Sequence, residues 1–310
     1  MPNTLGHVGA QGPISRWLAG SAVSDIKWIY LGVLLPDIAW ILHRILKIFY
    51  SGWNPFDLRL YAIVQSTLFF SLVLAAAISL LALRSRAVFL VLSGNALLHL
   101  LLDALQTKWG NGVHLFAPFS WKLINWGFFW PESFVTYFIT AAGLIFIIFY
   151  WRKAANTFPE FRRPAFPRFT FAFLFLTAYF ILPFLFFGAA EKSDSHSVQT
   201  LRLTDARTGK DVEMDRAEIK AAANGLVVQN FSRIKFRIKG KEIPPAGTVV
   251  SLKGRFIDEQ TIRADQIHIH PGVLRDIPSY LGILLIFVIW LIAYLQKRLK
   301  EYRMKEKRTG

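Results

Sequence analysis

Residues 88–118 read VFLVLSGNALLHLLLDALQTKWGNGVHLFAP, and the stretch up to residue 107 is apolar enough to sit in a bilayer while carrying Asn95, His99, Asp103 and Gln106. Spacings of four, four and three put those polar side chains on one face of an α-helix, each about a turn above the last. A carboxylate at membrane depth costs a few kcal/mol or more, so such groups face a bundle interior or a watery cavity and mark function. An imidazole and a carboxylate on adjacent turns are also what one helix offers a hard or borderline metal ion.

The whole chain suits that setting. Its 310 residues are 54% hydrophobic and 15% aromatic. That is too apolar for a soluble domain of this length and fits an α-helical polytopic membrane protein with a polar module attached. Cysteine is absent, which excludes disulfides and thiolate metal sites. The opening MPNTLGHVGAQGPISRW lacks the basic start and apolar core of a secretory signal, so the N-terminus is expected to be retained.

Six spans are expected: Trp28–Ile48, Leu60–Leu83, 88–107, Ser133–Trp151, Phe169–Ala189 and Ile277–Leu295. The first is interrupted by Pro36 and Asp37, a break that membrane helices tolerate when neighbours satisfy the freed backbone. Arg84 and Arg86, five cations in 152–168 and seven in 296–310 mark one side, while 49–59 and 108–132 hold only Arg59, Lys108 and Lys122. Short basic loops stay in the cytoplasm. Both termini are therefore expected inside a membrane of the bacterial cytoplasmic type. The net charge of +16 is then largely a topology signal rather than a nucleic-acid footprint, which would concentrate on one soluble face.

The chain divides into a helical membrane region, 1–190, a polar module, 191–276, and a last span with its basic tail, 277–310. The polar module falls outside. Its runs SVQTLRL, GLVVQNF, RIKFRIKG, TVVSLKGRF and TIRADQIHIH alternate with period two, and MDRAEIKAAANG reads as a short helix. Five strands and a helix suggest a small OB-like β-barrel that is extracytoplasmic. His268 and His270 share one face of a strand, with no third metal ligand close in sequence.

At 1.5 Å per helical residue, Asp37 lies near mid-membrane. His43, Gln65, His99 and Asp103 lie beyond the middle toward the outer face, and His114 follows just outside. Lys and Arg alone fixed the orientation, so this convergence is independent of it.

The early His7, the LLPD of Leu34–Asp37, the HLLLD of His99–Asp103 and TKWGNGVHLFAPFSW from Thr107 together resemble the YdjM-like membrane-bound metal-dependent hydrolases. The resemblance covers roughly residues 5–121. It implies hydrolysis with a divalent ion such as zinc, held by His7, Asp37, His99 and Asp103, with Asp37, His99 and Asp103 at the catalytic centre. Asn95, Gln106, Gln65, His43 and His114 would support those ligands. The substrate expected is a phospho- or acyl-ester, lipid or lipid-linked, near the outer leaflet. Two positions depart from the family pattern. Ala39 stands where a second Asp is usual, and Gln65-Ser66-Thr67 where a Thr-His-Ser is usual. The competing class is a non-catalytic scaffold that presents the outer module to a protein partner, its polar stripe merely packing helices.

Overall fold

A computed structural model describes residues 3–20, 25–49, 52–161, 165–223, 225–272 and 276–309. Parts of the stretches quoted above lie outside them, among them Met1 and Pro2, Arg162 and Arg163 of the basic loop, and Asn224 at the end of MDRAEIKAAANG. Among the described residues, α1 (Thr4–Ala19), α2 (Lys27–Leu34), α3 (Ile38–Phe49), α4 (Pro55–Gln65), α5 (Leu68–Leu81) and α6 (Ser85–Leu105) precede the first long connection, residues 106–133, and α7 (Phe134–Asn156) follows it. After α8 (Phe166–Ile181), a 3₁₀ turn leads into α9 (Phe187–Ser193), and α10 (Thr200–Arg202) ends the helical run. Among the described residues, four helical segments are long and apolar enough to cross a membrane, or up to six if each bent pair counts as one.

Both bends have local causes. Between α2 and α3, Pro36 cannot donate a helical hydrogen bond, and the axis turns by 64°. Between α4 and α5, Ser66 and Thr67 interrupt the ladder and the axis turns by 68°.

The N-terminal segment is itself a helix, which the sequence reading did not anticipate. Asn3 caps α1 by accepting from Gly6 N–H at 2.7 Å. The Asn3 amide also donates to Thr140 Oγ1 near the start of α7. Beyond the α1–α2 connection, Lys27 Nζ donates to the Ala154 and Thr157 carbonyls at the end of α7, both at 2.6 Å. Helix α1 thus packs alongside α7, and the start of α2 ties to the end of α7. Gly9 and Gly143 allow the backbones to touch, because a Cβ on either would fall on the opposite helix's backbone; small residues play this role between helices that no hydrophobic force drives together.

A correction to the expected topology follows. The last helix, α11 (Ile277–Thr309), sets Gly282 against Thr4 and Leu5 and Trp290 against Trp28. It therefore runs parallel to α1 and away from Asn3. Asn3 and the basic C-terminal end lie at opposite ends of the bundle, not at the same end.

The polar module is a five-stranded sheet: β1 (Asp211–Ala222), β2 (Gly225–Gln229), β3 (Lys235–Lys239), β4 (Val249–Asp258) and β5 (Thr261–Ile269). The ladder runs β1-β2-β3-β5-β4, with β4 paired back to β1 and only β3–β5 parallel. Val212, Met214, Ala217, Ile219, Phe236 and Phe256 are among the side chains buried inside.

Two local readings are corrected. SVQTLRL is helical, its turn started by Asp194, whose carboxylate accepts from Val198 N–H. MDRAEIKAAANG is not a helix; most of it belongs to β1. A bulge between Met214 and Ala217, with Arg216 at φ 53°, shifts the inward set from Val212/Met214 to Ala217/Ile219. One extra residue breaks the alternation of two and imitates a helical spacing. The module sits on the bundle through Gly110, whose N–H donates to Glu213 Oε2 while its carbonyl accepts from Arg59.

Candidate metal centre

Helix α6 carries His99 and Asp103 inward on adjacent turns. The α2–α3 break supplies Asp37, and α1 brings in His7. His7 Nε2 lies 3.6 Å from Asp103 Oδ1, and His99 Nε2 lies 3.6 Å from Asp37 Oδ1 and 3.8 Å from Asp103 Oδ2. These separations are too long for hydrogen bonds. Two ligands on a tetrahedral ion with bonds of ~2.1 Å stand about 3.4 Å apart, so the spacing suits donors around a common ion. His7, His99 and Asp103 have donor atoms all within 4.8 Å of one another; Asp37 reaches this group through His99.

His7 and His99 are fully buried. Their Nε2 atoms and Asp37 Oδ1 have no hydrogen-bond partner. Leaving such atoms unsatisfied costs about 1–3 kcal/mol each, so a group that satisfies several at once is favoured. The opposite faces of the rings are held. His99 Nδ1 donates to the Val33 carbonyl at 2.7 Å, which leaves Nε2 as the lone-pair atom facing the cluster. The Gln11 amide reaches His7 Nδ1 at 2.9 Å. The atom in contact is the amide nitrogen, and the amide oxygen is unpartnered; turning the amide over would let that oxygen accept the Nδ1 proton and give His7 the same tautomer. Such partners orient metal-binding imidazoles.

The cluster also contains a cation. Lys108 Nζ lies 3.0 Å from Asp103 Oδ1, both groups buried, and the Asn125 amide holds the Lys108 carbonyl. Beside them a cavity of about 30 Å³, enough for a water, is lined by Pro36, Trp40, Thr67, Asp103, Lys108 and His114 among others.

The remaining expected residues separate. His114 shares the cavity with Asp103; its Nδ1 donates to the Trp121 carbonyl at 3.0 Å, and burial lowers its pKa from 6.5 to about 4. Gln106 is fully buried one turn beyond Asp103, and neither amide atom has a partner. Asn95 is engaged elsewhere: it accepts from Ser15 Oγ and donates to the Val91 carbonyl, joining α1 to α6. Gln65 donates to Tyr61 and to the Tyr179 carbonyl, tying α4 to α8. His43 lines a separate groove with Lys47 and Arg233. Sequence reasoning missed Gln11, Thr67 and Lys108. The four-residue step from His7 to Gln11 was the one signal available.

A second group forms where the module meets the bundle. Glu132, from the connection before α7, joins His268 and His270, supplying the third residue that the sequence did not offer nearby. His270 Nδ1 is 2.7 Å from Glu132 Oε1, its Nε2 is 2.8 Å from Ser251 Oγ, and Trp130 stacks on His268 at 3.5 Å. Both groups bring their donors close enough for one ion, but a 2.7 Å contact is the length of a charge-assisted hydrogen bond and is shorter than two ligands on an ion usually keep. This second group reads as a hydrogen-bonded joint between module and bundle.

No family model matches the chain, and no curated protein or solved structure matches it.

Proposed function

We propose that this is a membrane-embedded metal-dependent hydrolase with its centre just beneath the outer face of the bilayer. The observation that carries the reading is the set of buried donors, His7 Nε2, His99 Nε2 and Asp37 Oδ1, gathered without hydrogen-bond partners around Asp103. His7, His99 and Asp103 would hold a divalent ion such as zinc, with Asp37 as a fourth ligand. Such an ion lowers the pKa of water to about 7 and polarises a phosphoryl or acyl oxygen. Lys108 and the Gln106 amide would steer the substrate's oxygens, and Trp40 and Thr67 would limit access of bulk water. The order of the motifs shared with the YdjM-like group supports the same assignment; Ala39 and Gln65 mark where this chain departs from it.

In this reading the bent pairs α2–α3 and α4–α5 each count as one pass, and α1, shorter than the six candidate segments at 16 residues, would be a seventh packed inside the bundle. The basic loops remain in the cytoplasm, and Asn3 and the sheet module lie outside. The strand pairings, with β3 beside β5 in parallel, support reading the five-stranded sheet module as OB-like. The substrate would be a lipid or lipid-linked ester that reaches the centre from the outer leaflet.

A second reading rests on Lys108. Its ion pair with Asp103 already neutralises one buried carboxylate, as a purely structural cluster in a scaffold protein requires. Elemental analysis of detergent-purified protein separates the two. The hydrolase reading expects a bound divalent ion that His99→Ala removes. Metal-free protein, unchanged in stability on adding zinc, manganese or magnesium, favours the scaffold.

A further inference from the structure

Helix α3 leaves the α2 axis at 64° and ends in an exposed pair, Ile48 and Phe49, at 77% and 81% exposure. Between them and the sheet module lies a groove of about 250 Å³, lined by His43, Lys47, Trp53, Phe231, Ser232 and Arg233 among others. No carboxylate lines it among the described residues. The nearest acid on α4, Asp57, is taken by Arg202 at 2.9 Å.

The module's side of the groove is built, not loose. Asn230 Oδ1 accepts from Ser232 N–H, Ser232 Oγ and Ile234 N–H at 2.8–3.0 Å. Gln229 donates to the Arg233 carbonyl. Arg233 is held at φ 67°, a conformation that non-glycine residues reach at a cost and keep mainly where their surroundings enforce it. Across the gap, Lys47 Nζ donates to the Phe231 carbonyl at 3.0 Å, and the buried Arg59 guanidinium lies 4.4 Å from the Phe231 ring centre. A forked guanidinium, an ammonium, an imidazole and a hydroxyl around one gap match the oxygens of a phosphate group. Trp53, and the apolar flank at Ile48 and Phe49, suit acyl chains and the membrane interface.

We propose that this groove holds the phosphate group of an anionic lipid. The inference takes from the proposed function only the placement of this end of the bundle at the outer membrane surface, and it does not depend on the metal. It also names a substrate class, since Trp40, which lines the cavity beside Asp103, touches His43 of the groove with 5.7 Å between ring centres.

The test is lipid retention by the full chain in detergent, read by native mass spectrometry after loading with dioleoyl phosphatidate or dioleoyl phosphatidylcholine. Phosphatidate is expected to be retained roughly tenfold better, and Lys47→Gln with Arg233→Gln to abolish that preference. Arg233→Gly serves as the second variant. Glycine relieves the left-handed backbone, so the protein stays folded while retention falls. Asp103→Asn keeps retention, so failure of the metal reading and failure of this one are distinguishable. Equal retention of the two lipids, or unchanged retention in the double variant, would overturn the proposal. So would displacement of phosphatidate by millimolar inorganic phosphate, which would make this a site for a free anion, and so would loss of retention in Asp103→Asn.

Discussion

His7 and His99 lie face to face, 3.6 Å between ring centres and 6° between planes, though one sits in the first helix and the other in the sixth. Parallel imidazoles at that distance cannot both carry a proton without strong repulsion, and their Nε2 atoms both approach Asp103. The stacking therefore excludes two charged rings, and holding a metal requires both to be neutral, with their Nε2 lone pairs side by side.

Removing either ring is expected to remove the ion. If the centre holds a divalent ion, elemental analysis of His7→Ala and His99→Ala should show it lost from both variants and present in the unaltered protein. Gln11→Ala, which only loosens the orientation of His7, should lower metal affinity about 10–100-fold without abolishing it. A Gln11 variant as empty as the His variants would place the glutamine among the ligands instead.

Lys108→Met gives opposite results for the two functional readings. Breaking a buried ion pair costs about 3–5 kcal/mol because one charge is left uncompensated, so melting in chelator should occur at a lower temperature than for the unaltered protein. Added divalent ion should restore most of the difference by taking over Asp103. Melting temperatures with and without zinc decide it, and a loss that no metal recovers sinks the metal reading.

Gly9→Val touches no donor atom but should disturb the centre. Its side chain meets the α7 backbone at Ile139 and Gly143, and forcing two packed helices apart typically costs 1–3 kcal/mol. The expected outcome is a lower melting temperature together with weaker metal retention, since α1 delivers His7. Intact metal affinity in a destabilised variant would mean that His7 is not needed.

Stability should fall on acidification through His114. The unfolded chain takes up a proton near pH 6.5, whereas the folded chain, with this imidazole buried, takes it up near 4. Between those values the unfolded state binds more protons, so stability is complete above pH 6.5 and is lost as pH falls toward 4, by up to about 3 kcal/mol. Melting temperatures at pH 7 and pH 5 should therefore converge in His114→Asn, and an unchanged pH dependence would assign the effect to other groups.

The sequence by itself determined the things that depend on short spacings. His99 and Asp103 share a face because they are four residues apart on an unbroken apolar helix, and Pro36 next to Asp37 announces a break that presents a carboxylate. The run of apolar helices was legible from composition for the same reason. Only the tertiary structure decided what depends on contacts distant in sequence. It showed that α1 folds alongside α7 on a pair of glycines and carries His7 into the cluster, and that Lys108 turns back onto Asp103. It drew Asn95 and Gln65 to other helices. Strand β1 stayed hidden because one bulged residue shifts its inward-facing set, a shift invisible until β4 lies beside it. Periodicity records which face a residue occupies on its own element; which element that face meets is settled only when the whole bundle packs.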